Sequence, residues 1–459
     1  MRGSFAGDGV MRTDANGLAI SPGSDAAALA FDAMIASYLR NRADLPARIA
    51  AVLQADPDFA LAHCVQGTMV MLASKQALLP VAMAAHQAAS CNVGDATWRE
   101  RAHVAALGSW IAGDLDATLA TWEAILRRHP HDVLALRLAH FTAFWLGRPQ
   151  DMLASIERVL PDWTADMPHY AALLGCRCFA NEECGNHLAA EPDGRRAIEL
   201  DPGDLWAAHG VAHVLEMQGR RQEGIAWLTG LAPNWEGSNN LQHHLWWHCA
   251  LYHLEQRDFA AVLALYDQRF RNLASALTQA APDLYIDVQN AASMLFRLER
   301  QGVAVGDRWE ELADQAETRI GDGQSPFTVP HWMMALAAAG RDGAAARMLD
   351  GLTALADRPG TLAPILRDYA LPVAQAVRAH RAGQFGLAVE RMRPALDGMW
   401  RLGGSHAQQD VLEQLFVDAA LRAGSTSDVQ IALERIAGRR HLPPERWVGW
   451  RDVARAASR

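Results

Sequence analysis

The sequence predicts an all-α protein, a solenoid of degenerate tetratricopeptide-like helix pairs. Three observations carry that prediction. From Ala26 onward Ala, Leu and Arg dominate and apolar residues recur at steps of three and four, with no alternating β-branched run. Glycines followed by polar residues recur near the period of about 34 that marks such pairs. Prolines fall where each second helix should stop, since a proline cannot continue the backbone ladder.

In chain order, residues 1–24 read as a polar arm laid across the solenoid, residues 25–318 as the first block of repeats, and residues 319–459 as a second, more degenerate block. The turns between antiparallel helices are expected at Gly113, Gly147, Gly185, Gly219, Gly340, Gly383 and Gly424. Gly113 to Gly147 and Gly185 to Gly219 each span 34 residues, and Gly147 to Gly185 spans 38. Pro130, Pro161, Pro202 and Pro233 close second helices. RIGDGQSPFTVP (319–330) and LADRPGTLAP (355–364) are longer connections. Each pair buries its apolar face against its neighbours, so the core is continuous along the array.

The bulk numbers fit that architecture. With 459 residues, 50% hydrophobic and 20% charged, the chain has ample material for an ordered core. A net charge of -10 with scattered Lys and Arg excludes a nucleic-acid-binding surface. The first 25 residues contain no apolar signal core, and no window of about 18 apolar residues follows. A cytoplasmic protein without a membrane partner is expected, its six cysteines reduced thiols. Cys176, Cys178, Cys184 and His187 invite a zinc reading, but Cys176 and Cys178 point about 200° apart on a helix.

Chemistry concentrates on three successive first helices, the ones expected to line the concave face. WAAHGVAHVLEM (206–217) carries His209, His213 and Glu216 on one face; NNLQHHLWWHCALYHLE (239–255) carries His244 and His248, with His243 beside them; PDLYIDVQNAASML (282–295) carries Asp283, Asp287 and Asn290. Steps of three and four at about 100° per residue bring such side chains together. Paired imidazoles on adjacent helices suit a transition metal, with His209, His213, His244 and His248 as ligands. They equally suit a polar pocket with a general acid or base, or a core that includes histidine. The HExxH signature of zinc proteases is absent. Trp246 and Trp247 flank the histidines as packing anchors or a pocket wall. His331 opens a later first helix, either exposed there or joining the groove. In WRLGGSHAQQDVLEQLF (400–416), Ser405 reads as an N-cap, and His406 and Asp410 face the same concave side.

Several segments together resemble the tetratricopeptide repeat protein 38 family, over nearly the whole chain. They are DANGLAISPGSDAAALAFDAMIASYL, DPDFALAHCVQG, RERAHVAAL, AIELDPGDLWAAHGVAHVLEMQGR, NNLQHHLWWHCALYHLEQRDF and GGSHAQQDVLEQLF. The two histidine-rich segments and GGSHAQ are the specific ones. The resemblance implies a right-handed superhelix of degenerate helix pairs, and it implies no settled reaction. Gln409 stands where the family pattern would place a basic residue.

The expectation is a solenoid whose concave groove binds a small polar molecule or peptide. Its walls would be His209, His213, Glu216, His243, His244, His248, Asp283 and Asp287, with His406 and Asp410 approaching from the C-terminal units. The alternatives are a hydrolase or lyase using the histidines as acid/base groups or as ligands of Zn, Mn or Fe, and a scaffold that captures a protein partner. A homodimer through a terminal helix is compatible with each. Lys and Arg, which hold acidic peptide termini in such grooves, are replaced by His and acids on the first helices from 205 to 295, which lowers the peptide-scaffold reading.

Overall fold

The computed structural model describes residues 11–439 and 442–457, so the first ten residues of the expected arm lie outside the described residues. The rest of the arm is a small hairpin. Arg12–Thr13 pairs antiparallel with Ala19–Ile20. Asp14 makes the turn, its carboxylate accepting from Asn16 N at 3.0 Å and Leu18 N at 2.9 Å. Buried Arg99 holds the hairpin down by donating to Asp14 at 3.0 Å and to Ala19 O at 3.2 Å.

Beyond the arm the chain is an all-α solenoid of helix pairs, from Asp25–Leu39 with Leu45–Ala55 to His406–Ala423 with Thr426–Arg439. The two helices of a pair differ as their sequences do. Every residue of Leu205–Met217 is buried, whereas its partner Arg221–Leu231 buries only Gly224 and Leu228. Val133–Trp145 and Pro149–Val159 repeat the contrast. A helix apolar all round must be covered on all sides, while an amphipathic one can cap the outside of the stack. First helices are therefore the interior of the array.

All seven expected turn glycines take left-handed backbone, with φ between 66° at Gly340 and 83° at Gly113. That conformation costs a residue with a Cβ about 1 kcal/mol. After Leu241–Glu255 the same conformation falls to Arg257, at φ 63°, which no glycine signal marks.

The concave side is not an open groove. Helix His406–Ala423 is buried continuously from Ala407 to Ala420 and packs against the first helices Leu205–Met217, Tyr285–Arg300 and Leu371–Arg381. Backbone contacts tie distant turns of the superhelix together: Ala43 N donates to Gly237 O and Thr361 N to Gly113 O, both at 3.0 Å. The chain fills its own interior. No helix among the described residues is long and apolar enough to cross a membrane.

Candidate metal centre

Two neighbouring first helices build the centre. Asp204 starts Leu205–Met217, its carboxylate accepting from Trp206 N at 2.9 Å and Ala207 N at 3.0 Å. The Tyr252 hydroxyl donates to Ala212 O at 2.6 Å and sets the register of Leu241–Glu255 against it. On its other side Gly210 admits the preceding first helix, Tyr170–Glu183, because a Cβ there would stand 2.7 Å from Cys178 Sγ. The three helices thus close around one point.

At that point lie His209, His213, His244 and His248, each at most 3% exposed. One ring nitrogen of each lies within 4.8 Å of the other three. His209 Nε2 is 2.9 Å from His213 Nε2 and 3.0 Å from His244 Nε2. Trp247 stacks on His244 at 5.2 Å and meets His248 edge-on, which seals the side toward the core. Burial holds His209, His213 and His244 well below the usual imidazole range, and neighbouring imidazoles push His209 and His213 further the same way. Neutral imidazole is the ligating form.

The outward nitrogens decide what the inward ones can do. His248 Nδ1–H donates to Glu216 at 2.9 Å, and His244 Nδ1–H donates to Asn290 Oδ1 at 3.1 Å. A neutral imidazole carries one proton, so each of these rings turns a lone pair inward. His248 Nε2 has no hydrogen-bond partner. His213 Nδ1 faces the carboxylates of Glu182 at 3.6 Å and Glu183 at 3.9 Å. Several lone pairs thereby converge where His209 can offer at most one proton. A cation at the centre satisfies all of them. Anchored outward nitrogens with free inward ones are how proteins orient metal-binding histidines. A tetrahedral ion with bonds of about 2.0–2.1 Å needs ligand atoms about 3.3–3.4 Å apart, a few tenths of an ångström wider than the closest pairs here.

The helix Tyr170–Glu183 brings acids that the sequence reading did not assign. Glu182 is fully buried and Glu183 nearly so. Burial pushes Glu182 up to about 8; the Glu183 side chain opposes that shift and the charge of Glu216 adds to it. Two solvent-facing pockets flank this helix end. One, of about 390 Å³, is walled by Glu183, His406, Gln409, Gly404 and Trp400 among others. The other, of about 730 Å³, is walled by His187, Asn181 and Gln218 among others. His187 Nε2 stands 3.7 Å from Glu182 Oε1, while His213 Nδ1 faces the other oxygen, Oε2. In ANEECGNH the signal was an acidic pair ending a first helix.

The remaining expected residues separate. His243 turns away and pairs with Asp287 at 3.0 Å, while Asn240 donates to the same carboxylate at 2.7 Å. Asp283 sits at another turn of the superhelix, paired with Lys75 at 2.5 Å. Asp410 accepts from Trp450 Nε1 at 2.9 Å and Gln414 at 2.6 Å. His406 lines the smaller pocket, and its charge bears on His213. Ser405 caps its helix with Gln408 in a reciprocal capping box. Gln409 donates to Gly403 O and Gly404 O and secures the Gly403–Gly404 turn before its own helix, a role for a neutral amide. His331 is neither exposed nor in the cluster: it is buried and bonded through Nδ1 to Phe327 O. Cys176 accepts from Arg137 at 3.2 Å and Cys178 packs against Gly194 and Gly210, so the cysteine segment serves packing.

No family model matches the chain. Among solved structures it is similar to the crystal structure of yeast Tom70, at 11% identity, covering 94% of this chain and 87% of that one, with a TM-score of 0.37. A likeness at that level carries no argument about function.

Proposed function

We propose that this helical-repeat protein holds a divalent transition-metal ion of the zinc, manganese or iron class on His209, His213, His244 and His248, and that a small polar ligand approaches it from the pocket beside Glu183 and His406. One observation carries the reading: four buried imidazoles converge on one point, and Glu216 and Asn290 hold the outer edges of His248 and His244 so that these two rings turn lone pairs inward. Imidazole sets of this kind suit Zn and Fe and exclude Mg and Ca, which take oxygen ligands. Such an ion supplies Lewis-acid polarisation or an activated water, the chemistry of a hydrolase or lyase. The histidine segments and GGSHAQ, which carry the resemblance to the tetratricopeptide repeat protein 38 family, supply the ligands and the pocket wall in this reading.

The solenoid itself favours a second reading, capture of a protein partner. Since His406–Ala423 occupies the concave side, a partner would dock on the outer helices. Metal analysis of untagged protein purified without added metal separates the two. About one equivalent is expected; less than about a tenth overturns the metal reading.

A further inference from the structure

His213 has two ring nitrogens, and the structure uses both. Nε2 joins the four-histidine cluster. Nδ1 belongs to a second group with Glu182 and Glu183, whose ligand atoms also lie within 4.8 Å of one another. The spans from Nδ1 to the two carboxylates, 3.6 and 3.9 Å, exceed a hydrogen bond and approach the ligand-to-ligand distance across a bound ion.

Neither Glu182 oxygen nor His213 Nδ1 has a hydrogen-bond partner, although all are buried. A fully buried carboxyl whose oxygens receive no hydrogen bond can be met by a proton or by a cation, and the neighbouring His213 Nδ1 and Glu183 carboxylate make it a place a cation can take.

We propose a second metal position, a divalent transition-metal ion held by Glu182, Glu183 and His213 Nδ1, so that the His213 ring bridges two ions. The inference rests on the four-histidine site being a metal site. As the second ion binds, His213 loses its remaining N–H proton and the Glu182–Glu183 pair any proton it holds, all released to solvent, and His213 bridges as imidazolate. The charges then close: two dications stand against Glu182, Glu183, Glu216 and the imidazolate. The two flanking pockets give this position access from solvent, through Glu183 on one side and His187 on the other. A mixed oxygen and nitrogen donor set beside an all-nitrogen one makes the two positions chemically unequal, and the carboxylate position is the more exchangeable.

The test uses the full chain with its tag removed, dialysed against Zn²⁺, with bound metal measured by mass spectrometry. Two equivalents are expected in the native chain and one in the Glu182→Gln/Glu183→Gln variant. One equivalent in the native chain, or an unchanged two in the variant, overturns the second position and leaves the first standing; no bound zinc overturns both. Should the variant fail to fold, Cu²⁺-loaded native chain decides. An imidazolate-bridged pair couples its spins and loses electron-paramagnetic-resonance intensity per copper, whereas full intensity from each copper overturns the bridge.

Discussion

His213 Nε2 stands 2.9 Å from His209 Nε2, one helical turn below it on the same face. Within one helix that contact is only the ordinary i, i+4 relation. It gains meaning because His244 Nε2, from the next first helix, reaches the same His209 nitrogen at 3.0 Å. One imidazole nitrogen facing two others is a poor hydrogen-bond arrangement and a good start to a metal site.

The orientation of His248 depends on Glu216, which accepts from its Nδ1 at 2.9 Å. Replacing a carboxylate behind a metal-bound histidine costs about 10–100-fold in affinity. Glu216→Gln keeps the shape of the side chain and is expected to weaken zinc binding by that factor, read by competition with a chromophoric chelator. An unchanged affinity would show that His248 is not a ligand.

An ion bound only by the folded chain raises its stability, by about 2.7 kcal/mol at 100 times Kd. The melting midpoint of the native chain should therefore climb with zinc concentration. His244→Ala removes one nitrogen from the cluster and should flatten that climb. If the variant responds to zinc as the native chain does, the four-histidine site is not where the ion binds.

The turns were legible because they are local. A left-handed residue after each first helix favours glycine, and seven such glycines stand at the expected positions. Arg257 escaped because a residue with a Cβ took the same conformation. The histidine pairs were legible as pairs, from spacing alone. Which histidine meets which neighbour depends on how adjacent helices register, and no spacing within one helix reports that. His243 and His244 are sequence neighbours, yet one joins Asp287 and the other the cluster. Glu182 and Glu183 come from one repeat earlier, a distance that a helix-by-helix reading does not bridge. The filled concave side was equally hidden, since it arises when His406–Ala423 meets helices more than a hundred residues upstream.

Two of the turn glycines should differ sharply in tolerance. At Gly340 (φ 66°) an added Cβ meets nothing within 4 Å, so Gly340→Ala bears only the backbone strain, about 1 kcal/mol. At Gly147 (φ 67°) the Cβ would collide with the Trp400 carbonyl, which belongs to the loop walling the smaller pocket. Gly147→Ala must bear that strain and also push this loop away. Its melting midpoint should fall well below that of Gly340→Ala, and equal midpoints would show that the contact between these distant turns is not made.

Acid stability should report His331. Its ring is buried and donates Nδ1–H to Phe327 O at 2.9 Å, and burial pushes its pKa down to about 4. The unfolded chain takes up a proton near pH 6.5, while the folded chain resists doing so until about pH 4. The stability this ring contributes is therefore complete above pH 6.5 and lost progressively as pH falls from 6.5 toward 4, about 2 kcal/mol of it between pH 7 and pH 5. His331→Gln keeps a donor for Phe327 O but cannot be protonated. Other buried histidines, His140 among them, lose stability over the same range in both chains, so the comparison isolates position 331. The drop in melting midpoint from pH 7 to pH 5 should be smaller in the variant than in the native chain. Parallel drops would mean that His331 is protonated in the folded protein as readily as in the unfolded one.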